Sequence, residues 1–169
     1  MKSFFRTVIL TGLFVGATDL IAAYVTQFIK TGKFDDKMLY YIAGGGLGLE
    51  ISMKGGFWIG LLGVFFHFFI AFAFTLFFFL IFPKLKFLWY NKYVVGLLYG
   101  LFVNKFMAWV VLPFTALPPN KAGFNFKEFL VGGLVLGIVL GIPIAWSAFK
   151  YYGVESKQKG IMGRNNFRV

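Results

Sequence analysis

Residues 57–82 read FWIGLLGVFFHFFIAFAFTLFFFLIF, and His67 is the one ionisable side chain among them. In an α-helix, at about 1.5 Å per residue, this run is long enough to cross the ~30 Å hydrocarbon core of a bilayer. Every backbone N–H and C=O in that core must find its partner within the segment, so a helix is the expected conformation. The run therefore predicts a membrane-spanning helix.

Three further runs have the same apolar character and cover residues 7–29, 93–114 and 129–149. Of the 169 residues, 59% are hydrophobic and 14% are charged, whereas a soluble domain carries roughly 25% charged residues. The charged residues stand in short clusters between the runs, and the sequence lacks the many short alternating segments of a β-barrel. We therefore predict an all-α polytopic membrane protein, with a four-transmembrane-helix bundle in residues 1–152 and a polar cytoplasmic tail in residues 153–169.

The first loop, residues 30–56, is the longest connection between the runs. Asp35 and Asp36 are typical helix-start residues, and the apolar residues 38–43 that follow are too few to span a bilayer. We expect a short interfacial helix there, followed by a bend in the glycine-rich residues 44–48. That stretch matches neither GxGxxG nor GxxxxGK[ST], so it does not indicate phosphate binding.

Basic residues precede the first run, and prolines lie inside the third and fourth runs. Lys2 and Arg6 precede the first run as they would in a secretory signal. Asp19 and the renewed apolar pattern behind it favour an uncleaved first span instead. We expect Pro113 to stop the third helix and Pro143 to kink the fourth.

The net charge of +11 comes from 17 Lys and Arg residues that mostly flank the runs. This arrangement favours contact with anionic lipid head groups over nucleic-acid binding. Ten lie on the side of the termini and the second loop, six on the other side, and Lys105 lies inside a run. The ten are Lys2, Arg6, Lys84, Lys86, Lys92, Lys150, Lys157, Lys159, Arg164 and Arg168; the six are Lys30, Lys33, Lys37, Lys54, Lys121 and Lys127. Since basic loops stay in the cytoplasm, we predict that both termini are cytoplasmic.

A stripe of small residues, spaced three or four apart, follows one face of each predicted helix. The four stripes are Gly12, Gly16, Asp19 and Ala23; Gly60, Gly63, His67 and Ala71; Gly96, Gly100, Asn104 and Ala108; and Gly133, Gly137, Gly141 and Ala145. Small residues at this spacing let helix backbones approach closely in lipid, so we predict that these faces pack together. Bulky side chains of the second helix would then cover the remaining surface, among them Phe65, Phe69, Phe72 and Phe79.

Four polar residues fall near the middle of their runs: Asp19, His67, Asn104 and Lys105. Charge is expensive at that depth, so each should face the interior and find a partner. Asp19 with His67 is the simplest pair; Asp19 with Lys105 is the alternative, and would leave His67 to Asn104 or a backbone carbonyl. Lys105 is too far from either end to reach water, so it should meet an acid or line a wet cavity. The cluster could join helices by hydrogen bonds or form a route for a proton, ion or solute.

Several classes of chemistry lack support. There are no cysteines, which excludes disulfides, thiolate catalysis, Cys-ligated zinc and iron–sulfur clusters. No serine nucleophile motif is present, and a metal site needs more ligands than one His and one Asp supply. A haem on His67 would need a second axial ligand, for which Met107 or Met53 is only a guess. We expect a protein that is not an enzyme and holds neither a metal nor a cofactor.

The second and third helices also resemble a known family. His67 sits inside an apolar helix, and Phe82-Pro83-Lys84-Leu85-Lys86, Gly96, Leu101-Phe102-Val103, Pro113 and Leu117-Pro118-Pro119 follow. In these residues the chain resembles the YagU-like group of bacterial inner-membrane proteins, best over residues 57–120 and loosely over residues 12–56. It departs from that group in the fourth helix, which lacks the polar residue often found near its start. The resemblance implies a helical bundle in the bacterial cytoplasmic membrane and no established activity.

Two functions follow from these features. The first is a small non-enzymatic protein that supports a larger membrane complex or forms a homo-oligomer. The second is a channel-like or proton-coupled transport protein that uses the four polar residues at mid-depth.

Overall fold

The computed structural model describes residues 3–118 and 125–154, and this part of the chain is helical, without strands. Four helices are long and apolar enough to cross a membrane. They are span 1 (Phe4–Thr31), span 2 (Phe57–Ile81), span 3 (Lys92–Phe114) and span 4 (Phe126–Tyr152). The predicted all-α fold with a four-helix bundle is confirmed. The predicted tail lies outside the described residues from residue 155 onward.

Capping residues explain where the spans begin and end. The Asn91 side chain accepts hydrogen bonds from two backbone N–H groups in the first turn of span 3. Asn125 caps span 4 in the same way, so both helices start at a residue that satisfies otherwise unpaired donors. Span 1 ends where Gly32 adopts a φ of 69°, a left-handed conformation that glycine reaches without strain.

The first loop contains the predicted short helix, which we call the loop helix (Lys37–Leu47). It continues through Gly44–Gly46, so the bend falls later, at Gly48, where φ is 79°. The loop helix packs along span 2, because Gly63 touches the backbone carbonyl of Leu39 and leaves no room for a Cβ. It therefore covers part of the bundle and closes one side of a cavity.

Asp35 lies two residues before the loop helix, and its side chain binds the first residue of that helix. Its Oδ1 accepts the backbone N–H of Lys37 at 2.9 Å, and its Oδ2 lies 3.1 Å from the Lys37 ammonium. These contacts, the backbone hydrogen bond first, hold the pKa of Asp35 below its ordinary value. Asp36 precedes the helix without capping it through its side chain.

Spans 3 and 4 each widen into a π-helical turn just before a proline. These turns are Met107–Val111 and Gly137–Gly141, and Pro113 and Pro143 follow two residues later. A proline inside a helix lacks an N–H and crowds the carbonyl four residues earlier, and a wider turn relieves that crowding. The disturbance expected from each proline therefore appears upstream of it, and the third helix ends one residue beyond Pro113.

A buried aromatic cluster lies where span 2 ends and span 4 approaches its end. Phe78, Phe79 and Phe82 are fully buried there, against Tyr99 of span 3 and Phe149 of span 4. The prediction that Phe79 covers the outer surface is therefore wrong. Apart from its stripe of small residues, span 2 carries phenylalanines on several faces, so hydrophobicity could not show which of them packs inward. The predicted outer positions 65 and 69 are exposed.

Spans 3 and 4 touch backbone to backbone along their glycines. A Cβ on Gly96 would lie 2.5 Å from the Cα of Ile142, and one on Gly100 would overlap the backbone of Gly137. Gly141 lies against the carbonyl of Gly96 from the other side. Only glycine permits such an approach.

The remaining stripe glycines differ in how closely they are packed. Gly12 and Gly16 of span 1 lie under the rings of Phe72 and Phe68 in span 2, and Gly133 lies against Leu101. Gly60 has only an ordinary contact, 3.6 Å from its Cβ position to the Tyr40 ring. The stripes thus mark interfaces of unequal tightness.

Candidate functional site

The polar residues at mid-depth form two pairs in different places. In the first pair, His67 Nε2 lies 3.9 Å from Asp19 Oδ2 and 2.9 Å from the carbonyl oxygen of Gly16. A carbonyl can only accept, so Nε2 carries a proton and donates it to Gly16. His67 therefore ties span 2 to span 1, with the Asp19 carboxylate beside it.

The second pair, Asn104 and Lys105 on span 3, contacts span 4. Asn104 Nδ2 donates a hydrogen bond to the carbonyl oxygen of Phe129 at 2.9 Å. Lys105 Nζ lies 3.5 Å from the centre of the Trp109 ring and 5.1 Å from that of Phe129, which is a cation–π arrangement. These aromatic faces are partners that the sequence did not indicate, and the acid or wet cavity expected around Lys105 stays a prediction.

Asp19 and Asn104 both line a polar groove of about 960 Å³ between spans 1, 3 and 4. Gln27 and Lys30 line it near the end of span 1, and Glu128 near the start of span 4. The groove therefore runs from the loop end of the bundle inward, and Asp19 is the acid at its inner end.

Asp19 also borders a cavity of about 540 Å³ between the loop helix and spans 2 and 3, which we call the span 2–3 cavity. The wall is mainly apolar, with Phe66, Phe74 and Met107 among its residues. Asp19 and His67 supply the acid and the imidazole in this wall. The carboxylate thus stands between an apolar cavity and a polar groove.

The Asp19 carboxylate accepts no hydrogen bond from the described part of the chain. Its neighbour His67 Nε2, at 3.9 Å, is beyond hydrogen-bonding distance. The side chain keeps 22% of its surface exposed, so the carboxylate has access to the groove and the cavity. A carboxylate at this depth is costly without donors, and Asp19 therefore has capacity for a further partner.

Thr18 is a residue of this region that the sequence did not single out. Its Oγ1 lies 2.9 Å from the carbonyl oxygen of Val139, which joins spans 1 and 4, and 3.1 Å from the carbonyl oxygens of Phe14 and Val15 in its own helix; the single hydroxyl proton is shared among them, and Val139 is the nearest acceptor. Val139 lies four residues before Pro143, whose missing N–H would otherwise serve that carbonyl. Because Pro143 follows Val139 by four residues, the sequence could have shown that the Val139 carbonyl needs a hydrogen-bond donor. No pattern in the sequence indicates that Thr18 supplies it.

A second groove, of about 610 Å³, lies between spans 1 and 4 at the opposite end of the bundle. Arg6, Thr11 and Lys150 are among its lining residues. Along both spans the Thr18–Val139 hydrogen bond falls between this groove and the one that contains Asp19. The two grooves are therefore separated by a packed contact.

Four apolar spans that pack as a helical bundle define a multi-pass membrane protein. Comparison with protein-family models, curated proteins and solved structures finds no match to this chain. The resemblance over residues 57–120 accordingly stays a prediction. Among the residues that the structure describes, no three His, Asp or Glu side chains come together to hold a metal ion.

Proposed function

We propose that the chain is a small, non-enzymatic protein of the bacterial cytoplasmic membrane that serves as a structural or accessory subunit of a membrane complex. One observation supports this most: polar side chains inside the bundle join the spans. His67 bonds to span 1, Asn104 to span 4, and Thr18 also to span 4. Side chains held in such interhelical hydrogen bonds fix the positions of the helices. This suits a supporting protein more than one that must change conformation.

The outer surface supports a role in assembly. Trp58 is 77% exposed and Trp109 is 66% exposed, and Phe65 and Phe69 stack on the outside of span 2. In a bilayer such aromatic faces meet lipid chains, the interface or another membrane protein. A complex of several different chains and a homo-oligomer would both use them.

Location and orientation belong to the same proposal. The family resemblance suggests the bacterial cytoplasmic membrane, and the distribution of ten against six basic residues supports cytoplasmic termini. The basic loops would then contact anionic lipid head groups at the cytoplasmic face.

Crosslinking tests the accessory role. The tagged full-length chain, produced at a low level in a bacterial host, is crosslinked in intact membranes and then extracted with mild detergent. We expect a discrete species larger than one copy, and its composition separates a homo-oligomer from a complex with other proteins. Crosslinking before extraction controls for dissociation in detergent. A chain that remains a single copy, both with crosslinking before extraction and without it, would contradict the proposal.

Transport of a proton, an ion or a small solute is the second candidate, and Asp19 is the observation that favours it. The carboxylate lies at the inner end of one groove, while a second groove approaches from the opposite end of the same two spans. Flux into liposomes that contain the purified protein tests this function. We expect Asp19→Asn to abolish flux and Asp35→Asn, an acid outside the spans, to preserve it. Absence of flux in the wild type would exclude the transport role.

A further inference from the structure

The span 2–3 cavity carries an inference that goes beyond an accessory role. We propose that it binds a lipophilic amine, meaning a molecule with an apolar body and a protonated amino group that pairs with Asp19. The size of the cavity, the nature of its walls and the chemistry of its polar corner support this assignment separately.

The cavity has the dimensions of a small-molecule site. Its volume of about 540 Å³ falls within the range of about 300–1,000 Å³ that is typical of ligand pockets. The loop helix forms one wall with Tyr41 and Ile42, span 2 another with Phe66 and Phe74, and Met107 of span 3 lies among them. An apolar body of moderate size can therefore be enclosed on three sides.

Asp19 and His67 form the polar corner of the cavity, and this corner determines which charge the ligand must carry. Asp19 offers a carboxylate with unused acceptor capacity, and His67 has already committed its Nε2 proton to Gly16. A neutral His67 ring then has only an acceptor nitrogen left. A group placed here must supply donors, and a positive charge matches the carboxylate, so an ammonium is the complementary head group.

No Lys or Arg side chain of residues 3–118 and 125–154 lines this cavity. Lys105, the lysine at similar depth, lies over the Trp109 ring and does not line the cavity among the residues that the structure describes. An anionic head group such as a carboxylate or a phosphate would meet the like charge of Asp19. A neutral lipid chain remains the main competing occupant, because the apolar walls would accept it equally well.

A matched pair of probes distinguishes the two occupants. The full-length protein is placed in nanodiscs of zwitterionic phosphatidylcholine, and empty nanodiscs give the background. The probes are dansylcadaverine, a primary amine on an apolar fluorophore, and its N-acetyl derivative, which lacks the charge. We expect saturable binding of the amine and about tenfold weaker binding of the acetylated probe, since hydrogen bonds to a charged group add that much selectivity.

Two substitutions locate the site. Asp19→Asn should remove the preference for the amine and leave the acetylated probe unchanged, whereas Glu128→Gln, in the groove on the other side of Asp19, should leave both unchanged. Val111→Trp, which fills the cavity from span 3, should weaken both probes.

Equal affinity of the wild type for the two probes would overturn the proposal and indicate a site for neutral lipid. Lack of saturable binding would overturn it as well. Both results come from the wild-type protein, so the proposal stays testable even if Asp19→Asn does not fold. Neither result bears on the accessory role, which is tested by crosslinking.

Discussion

Thr18 and His67 each donate one hydrogen bond to a backbone carbonyl of a neighbouring span, but the two carbonyls differ. The acceptor of Thr18 is Val139, which has lost its helical donor to Pro143. The acceptor of His67 is Gly16, which lies inside the regular helix of span 1 and keeps a backbone donor. The same type of bond should therefore contribute unequally to stability.

Thr18→Val removes the hydroxyl at nearly constant shape, and the Val139 carbonyl then loses this donor in addition to the N–H that Pro143 cannot supply. We expect a loss of about 1–3 kcal/mol in the free energy of unfolding, the cost of an unsatisfied buried polar group. Thr26→Val is the matched control, because Thr26 bonds only within its own helix and is exposed. Unfolding with sodium dodecyl sulfate in mixed micelles, followed by circular dichroism, measures both variants. Equal losses would show that the bond between the spans contributes nothing.

His67→Leu should cost less, about 1 kcal/mol, because the carbonyl of Gly16 keeps its helical partner. The same unfolding measurement compares it with Thr18→Val. A larger loss for His67→Leu than for Thr18→Val would show that the pairing with Asp19 contributes more than the geometry indicates.

At the scale of single residues, the sequence predicted the neighbours of Asp19 well and those of Lys105 poorly. A carboxylate and an imidazole at equal depth in adjacent helices have few other partners, so the pair of Asp19 and His67 could be foreseen. The Trp109 ring next to Lys105 could not, because apolar spans contain aromatic rings on every face and the helix rotation selects among them.

At the scale of helices, the glycine stripes of spans 3 and 4 hold these two elements together. Gly100 lies on the backbone of Gly137, whereas Gly60 of span 2 faces only the ring of Tyr40 at ordinary contact distance. Both glycines belong to predicted stripes of small residues. The spacing shows which residues are small, but not which of them meet a backbone, because that depends on the crossing point of two helices.

Substitution of these two glycines tests the difference. Gly100→Ala should destabilise the protein by about 2 kcal/mol or more, since its Cβ has no space and neither backbone can yield cheaply. Gly60→Ala should be neutral or stabilising by about 0.5–1 kcal/mol, because alanine favours the helix. Thermal unfolding in detergent compares the two alanine variants directly. A similar melting temperature for both would contradict the backbone contact at Gly100.

For the whole molecule, hydrophobic length was sufficient to predict the spans. Spans 1, 3 and 4 extend up to three residues beyond the predicted limits, because caps such as Asn91 and Asn125 lie in the polar flanks, and span 2 ends one residue short of its predicted limit. The course of the loop helix along span 2 could not be predicted, since a short amphipathic segment is equally compatible with the membrane surface.

The orientation of the whole molecule is directly measurable. A fluorescent protein fused to the C-terminus should be fluorescent, and alkaline phosphatase fused there should be inactive, since both report a cytoplasmic end. Alkaline phosphatase inserted after Gly32, in the first loop, should be active and serves as the matched control. The reverse pattern would overturn the cytoplasmic placement of the termini.

The π-helical turn at Gly137–Gly141 is the place in span 4 where the length of the helix can change. Such a turn holds one residue more than an α-helical turn, so deletion of a single residue there would close it to an α-helical turn and keep the orientation of the following segment. Deletion of one residue in the regular helix before it would instead rotate that segment by about 100°. Ile144, Ala145, Ala148 and Phe149, all buried now, would turn towards lipid although the hydropathy of the span would hardly change. Within span 4, changes of length should therefore be confined to the π-helical turn, and the rest of the span should vary only by exchange of one residue for another.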